Sequence, residues 1–343
     1  MRQTFRHTIL FAAVLGLMLS LGSSTAFAQH YVKSVLVKNL APAKHVDPQL
    51  VNPWGLVYGP GSPFWISDQG SGLSTLYDGT GVKQSLVVTV PPASGTGKGS
   101  PTGIVYDVST TDFKIMSWPS QFLFSTLDGT ICGWSHFDPN NALIGVNNSG
   151  SGASYTGLAI TSKTSGNFLY APDFAHNKVD VYNSTFGFVT SFTDTSLPAG
   201  FAPFGIQDIG GMVYVAFAAT NGSAGGYIDI FQENGAFVKT LISGAPLNQP
   251  WGFAVAPPNF GPLSNTLLIS NNTNTGTING FNLTTGAFVG TIVNSLGKPF
   301  IINQLWGIEF GGGTAANGQT NQLFFTAGPK NNLNGVFGVI KFK

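Results

Sequence analysis

The sequence predicts an all-β fold, a six-bladed β-propeller with four-stranded blades and a ring closed by the N-terminal strand. Three observations carry this expectation. The first is a phrase that returns six times: a Gly followed by a large apolar residue, usually with Pro and an aromatic just before it. The copies are Asn52-Pro53-Trp54-Gly55-Leu56, Ser100-Pro101-Thr102-Gly103-Ile104, Tyr155-Thr156-Gly157-Leu158, Ala202-Pro203-Phe204-Gly205-Ile206, Gln249-Pro250-Trp251-Gly252-Phe253 and Gln304-Leu305-Trp306-Gly307-Ile308. Their glycines stand 48, 54, 48, 47 and 55 residues apart, and a period near 50 residues marks a repeat architecture. The second observation is that each period holds four short β-branched and aromatic runs separated by Gly, Pro, Asp and Ser. Four strands per period of this length make a propeller blade. The third is the count. The last period holds only three strands, and one unassigned strand precedes the first.

The elements follow in order. Residues 1–28 read as a secretory signal peptide: Arg2 and Arg6, an apolar stretch from Thr8 to Leu21, then Ala26-Phe27-Ala28 as a small-x-small cleavage site. The alternative, an uncleaved anchor, is disfavoured by the short apolar run. An exported product, periplasmic or extracellular, is the expectation, with no membrane anchor after cleavage. Residues 29–343 then form a single propeller domain. Tyr31–Lys38 is expected to pair with Gly335–Lys341, covering two sheet edges at once. The first blade runs through Gly55–Tyr58, Phe64–Ser67, Ser74–Tyr77 and Ser85–Val90. The fifth repeats it through Gly252–Val255, Thr266–Ile269, Thr277–Phe281 and Ala287–Ile292. The sixth comprises Trp306–Phe310, Gln322–Thr326 and Gly335–Lys341. A solenoid, the rival repeat fold, would need capping repeats, and none is legible.

Three further phrases carry a family resemblance. They are Asn52-Pro53-Trp54-Gly55, Ser125-Thr126-Leu127-Asp128-Gly129-Thr130-Ile131 with Trp134, and Phe325-Thr326-Ala327-Gly328-Pro329. On them the chain resembles a family of secreted bacterial propellers related to NHL-type repeats. Kelch and WD40 signatures are absent. Some members of that family end in a PEP-CTERM sorting tail. This chain ends Val336-Phe337-Gly338-Val339-Ile340-Lys341-Phe342-Lys343, a blade strand, without one. The resemblance implies fold and export and supplies no catalytic residues.

Composition narrows the partners. Charged residues are 8% of the chain, against about 25% in an average soluble protein. No basic stripe suits nucleic acid, and no basic amphipathic helix suits a membrane surface. A small molecule, a glycan or a protein remains. Cys132 is the single cysteine, so no internal disulfide forms; within Thr130–Trp134 it reads as a small buried hydrophobe rather than a nucleophile paired with His136. No zinc-spaced His cluster, Gly-x-Ser-x-Gly elbow or phosphate loop is present.

Propeller topology places the turn into each inner strand and the turn between strands two and three at the same end of the ring. Asp68, Asp128, Asp173, His176, Asn271 and Lys330 are therefore expected to crowd one mouth of the channel as ligand-binding candidates. The Asp and Asn residues among them are also ordinary turn formers. Before the repeat glycines stand Trp54, Thr102, Thr156, Phe204, Trp251 and Trp306. Their aromatics are expected either to wedge between blades, the favoured reading, or to form a stacking collar for a ligand. After the glycines, Leu56, Ile104, Leu158, Ile206, Phe253 and Ile308 read as blade packing. Val57, Val105, Ala159, Gln207, Ala254 and Glu309 read as channel lining. Glu309 and Asp173 are the metal-ligand candidates; oxygen ligands with few His suit calcium. Two functions follow: a binding or scaffold propeller, or a calcium-dependent hydrolase or lyase of the type seen in lactonases and NHL-type lyases, which bind a metal in the channel of similar propellers. Several of these oxygens meeting at one point would favour the second.

Overall fold

In the computed structural model, residues 30–162 and 166–343 are described. The signal-peptide expectation lies outside them. Six antiparallel sheets surround one axis. The inner strands are Pro53–Val57, Pro101–Tyr106, Ala159–Thr161, Phe201–Ile209, Pro250–Val255 and Leu305–Phe310. The first five blades each follow an inner-to-outer meander of four consecutive main strands. In the sixth, the N-terminal strand Tyr31–Lys38 lies antiparallel to Val336–Phe342, with Tyr31 opposite Phe342 and Lys38 opposite Val336. Tyr31 anchors the closure. Its hydroxyl donates to Phe260 O at 2.6 Å, and its ring packs on Phe260 and Phe342. Two features lie outside the sequence expectation: a short parallel strand, His45–Val46, and a small hairpin, Lys114–Ile115 with Trp118–Pro119.

The repeated glycine has a steric cause. At each blade junction its Cα faces the backbone of the next blade. A Cβ on Gly205 would sit 1.9 Å from Trp251 O, and one on Gly103 would sit 2.2 Å from Leu158 N. For Gly55, Gly252 and Gly307 the nearest carbonyls, those of Thr102, Trp306 and Trp54, would each be 2.7 Å away. Only a residue without a side chain lets the inner strands come this close. A hydroxyl on the second strand then ties the junction. Thr326 Oγ1 accepts from Gly307 N–H at 3.0 Å and donates to Trp54 O at 2.5 Å. Ser270 links Gly252 to Trp306 O in the same way, and Ser125 links Gly103 to Gly157 O.

The apolar core lies in the seams between blades rather than in one centre. Phe64 and Tyr77 of the first blade pack on Phe324 and Phe337 of the sixth, while Trp65 stacks on Phe122 of the second at 3.9 Å. Cys132 is buried in that second seam, as the sequence suggests. Among the described residues no helix is long and apolar enough to cross a membrane.

Candidate functional site

The inner strands lead from one end of the channel to the other, and the two ends differ. At their beginning the aromatics preceding the glycines turn inward. Trp54 stacks on Trp306 with ring centroids 3.6 Å apart, and Trp251 meets both edge-on at 6.1 and 5.7 Å. Phe204 packs against Trp54 and Trp306. The three tryptophans are only 3–8% exposed, although they stand at a channel mouth. They neither wedge between blades nor form an open collar. They fill the axis as a plug, which corrects both sequence readings. Two indole N–H groups fix it: Trp306 Nε1 donates to Asn52 Oδ1 at 3.0 Å and Trp251 Nε1 to Thr156 O at 2.9 Å.

The acidic and amide turn residues are occupied by partners close at hand. Asp128 accepts from Ser100 N–H, Asp173 from Ser154 N–H and Asn271 from Asn248 N–H, each at 3.0 Å. All three therefore hold the loop that leads into their own blade. Asp68 is fully buried and accepts from the amide and hydroxyl of Thr75 across its own hairpin. Burial raises its pKa well above the usual carboxylate range, and nearby Asp47 adds to this. His176 sits on Asp173 with Nδ1 2.7 Å from Oδ2, and Lys330 is exposed. Asp68, Asp128, Asp173 and Asn271 are thus engaged by donors of their own hairpin or leading loop, and His176 by Asp173, rather than left free for a ligand. Among the described residues no group of three or more His, Cys, Asp or Glu is placed to hold a metal ion.

Beneath the plug the channel narrows to a neck of about 40 Å³, ringed by five of the repeat glycines and by Leu56, Ile104, Leu158, Ile206, Phe253 and Ile308. The row assigned to blade packing thus also borders the channel. Past this neck the channel opens into a cup of about 270 Å³. Val57, Val105, Ala159, Gln207 and Glu309 line it, as expected for the channel-facing row, whereas Ala254 packs into an apolar core cluster instead. Tyr58, Tyr106, Ile160 and Asp208, one residue further along the same strands, complete it. The two tyrosines lie across seams. A Cβ on Gly59 would meet the Tyr106 ring at 2.7 Å, and one on Gly312 would meet Tyr58 at 2.6 Å.

Glu309 borders both neck and cup. Protein surrounds it on every side but the channel, and burial pushes its pKa up to about 8, partly offset by the Phe310 amide. At neutral pH it is therefore mostly a neutral acid, able to donate as well as accept a hydrogen bond. Burial and the adjacent Glu309 raise the Tyr58 phenol to about 12. Burial also raises Asp208, with some help from Glu233. The cup thus presents two tyrosine rings, an exposed amide and two carboxyl groups whose pKa values burial raises. Such a set can grip a small polar molecule that has an apolar face. Tyr58, Tyr106 and Asp208 are missing from the sequence reading because it stops two residues past each Gly.

Comparison with known proteins agrees with this architecture. No protein-family profile matches the chain. A gluconolactonase from Xanthomonas campestris superposes with a TM-score of 0.55 at 14% identity, covering 86% of this chain and 89% of that one. The virginiamycin B lyase of Staphylococcus aureus gives 0.54 at 11%, covering 91% and 99%. At such identities the likeness concerns the fold alone. In sequence, the uncharacterised protein L690 of Acanthamoeba polyphaga mimivirus is 28% identical over 84% of this chain and 80% of its own. The uncharacterised protein R648 of the same virus is 31% identical over 87% of this chain and 76% of its own. That identity and coverage place the chain in the family of the mimivirus protein R648.

Proposed function

We propose that this protein is a ligand-binding propeller whose site is the cup at the Glu309 end of the channel. The carrying observation is the asymmetry of the channel, plugged by Trp54, Trp251 and Trp306 at one end and open at the other onto Tyr58, Tyr106, Gln207, Asp208 and Glu309. Small apolar-faced polar molecules, neutral sugars among them, fit aromatic rings flanked by amide and carboxyl hydrogen-bonding groups. A panel of neutral mono- and oligosaccharides, read by thermal shift and calorimetry, tests this. A sugar that raises the melting temperature should lose its effect in Tyr106→Ala and Glu309→Gln. Retention of the full effect in both variants would place the site elsewhere.

A second reading has its own support. A carboxyl poised near neutrality, facing a water-sized neck, suits general acid–base chemistry. Lactonase and lyase activities are borne by propellers of the same fold. Turnover of a lactone panel that vanishes in Glu309→Gln would establish it. The calcium-dependent form of this reading has weaker support, because Asp68, Asp128 and Asp173 are already engaged. Melting curves in calcium and in chelator test it directly. Export after cleavage at Ala28 belongs to the proposal too, and the N-terminal mass of the mature protein decides it.

A further inference from the structure

The third strands of the blades carry one equivalent position, opposite the second-strand residue that faces the position after the repeat Gly. Its occupants are Thr75, Cys132, Asp180, Asp229, Asn279 and Gly338. Most polar members find a complementary partner. Thr75 donates to Asp68, Asp180 meets the Lys178 ammonium at 2.8 Å and the Tyr155 hydroxyl at 3.0 Å, and Asn279 accepts from Thr291 at 2.7 Å. Asp229 is the exception. It is wholly buried, and neither oxygen is in hydrogen-bonding geometry with a donor. It faces a second acid, Asp194, from the segment that follows the third blade, together with the Thr240 hydroxyl on its neighbouring strand. Asp194 is itself buried. One of its oxygens accepts from Ser196 N–H at 2.7 Å, and the other has no partner. Lys239, also on the neighbouring strand, turns away to Thr284 O. No described cation balances the pair.

We propose that Asp194 and Asp229 share one proton across the seam between the third and fourth blades, and that the seam loosens when the proton leaves. Two facing buried carboxylates cannot both ionise without repulsion in a dry seam, whereas a shared proton would join them in a strong hydrogen bond. Burial, and then Asp194, raise the Asp229 pKa to about 7. The folded state thus holds a proton that the unfolded chain releases near pH 4. Stability from the pair is full at acidic pH and declines as pH rises through neutrality. The chain leaving Asp194 enters Phe201–Ile209, which carries Phe204 of the plug and Gln207 and Asp208 of the cup. The seam therefore sits where it can regulate the cup, a coupling that rests on the proposed binding site; the latch itself does not.

Thermal unfolding between pH 5 and 8.5 tests the latch in wild type, Asp229→Asn and Asp194→Asn. Taking each variant minus wild type isolates the pair from Glu309, which titrates in the same range. The expected difference is zero or negative at pH 5 and climbs by a few °C by pH 8.5. Parallel curves would overturn the proposal. So would a calcium-induced rise in wild-type melting temperature at pH 8 that is lost in Asp229→Asn, because the oxygens would then be cation ligands. Should the asparagine variants fail to fold, infrared spectra of the Glu309→Gln protein serve instead. A protonated-carboxyl band fading with a midpoint near pH 7 supports the latch, and a band unchanged across the range refutes it.

Discussion

The two ends of the channel are built from the same six strands and put them to opposite uses. At the tryptophan end, side chains that precede the repeat Gly turn inward and pack on one another, with two indole donors tied to protein acceptors. At the Glu309 end, side chains two and three residues past the Gly leave a cup unfilled and hold the Glu309 carboxyl away from charged partners. The lesson concerns position rather than residue type. Trp306, at the start of its inner strand, is buried core, whereas Tyr106, at the end of its own, is half-buried and borders the cup. Trp306 and Tyr106, both large aromatics on inner strands, should therefore respond differently to truncation.

The largest effect belongs to the sealed end. Trp306→Ala removes the ring that stacks on Trp54 and should cost about 3–5 kcal/mol in denaturant unfolding. Gly205→Ala comes next. Its Cβ would meet Trp251 O at 1.9 Å, so the seam must open, at about 3 kcal/mol. Gly157→Ala is the control, since its Cβ would stand 3.3 Å from Phe204 O, and it should cost about 1 kcal/mol or less. Equal losses in the two glycine variants would break the steric account of the repeat.

At the open end the effects are smaller and depend on pH. Glu309 has its folded pKa raised above the unfolded value, so its stability contribution is lost as pH rises through about 8. Glu309→Gln should match wild type at pH 5 and exceed it at pH 9.5. The gain is on the order of 1–2 kcal/mol after allowance for channel water. Tyr106→Ala should change stability least, by about 1 kcal/mol, while removing one wall of the cup. A loss as large as that of Trp306→Ala would mean that both ends are core.

The fold was legible because its cause is local and repeated. A glycine forced by the close approach of neighbouring strands, with strand-length runs at fixed offsets, marks blades wherever it recurs. Closure by Tyr31–Lys38 followed from counting strands. The site was less legible. The series Trp54, Phe204, Trp251 and Trp306 gives a height along the axis, but not whether rings turn inward or into a seam. Asp68, Asp128, Asp173 and Asn271 mark turns correctly. Whether a turn carboxylate faces solvent or an amide of its own leading loop depends on backbone geometry that spacing does not encode. At the third position past the Gly, residues differ from blade to blade: Tyr58, Tyr106, Ile160, Asp208, Val255 and Phe310. No repetition draws attention to that row, although it completes the cup.

Carbodiimide labelling with peptide mapping tests the asymmetry of the channel most directly. The reagent attacks protonated carboxyl groups that it can reach. Asp68 and Glu309 are both raised by burial, but Asp68 is enclosed in its hairpin while Glu309 borders the open cup. The account predicts modification of Glu309 in the native protein near pH 6.5, with Asp68 modified only after unfolding. Protection of Glu309 together with native labelling of Asp68 would contradict it.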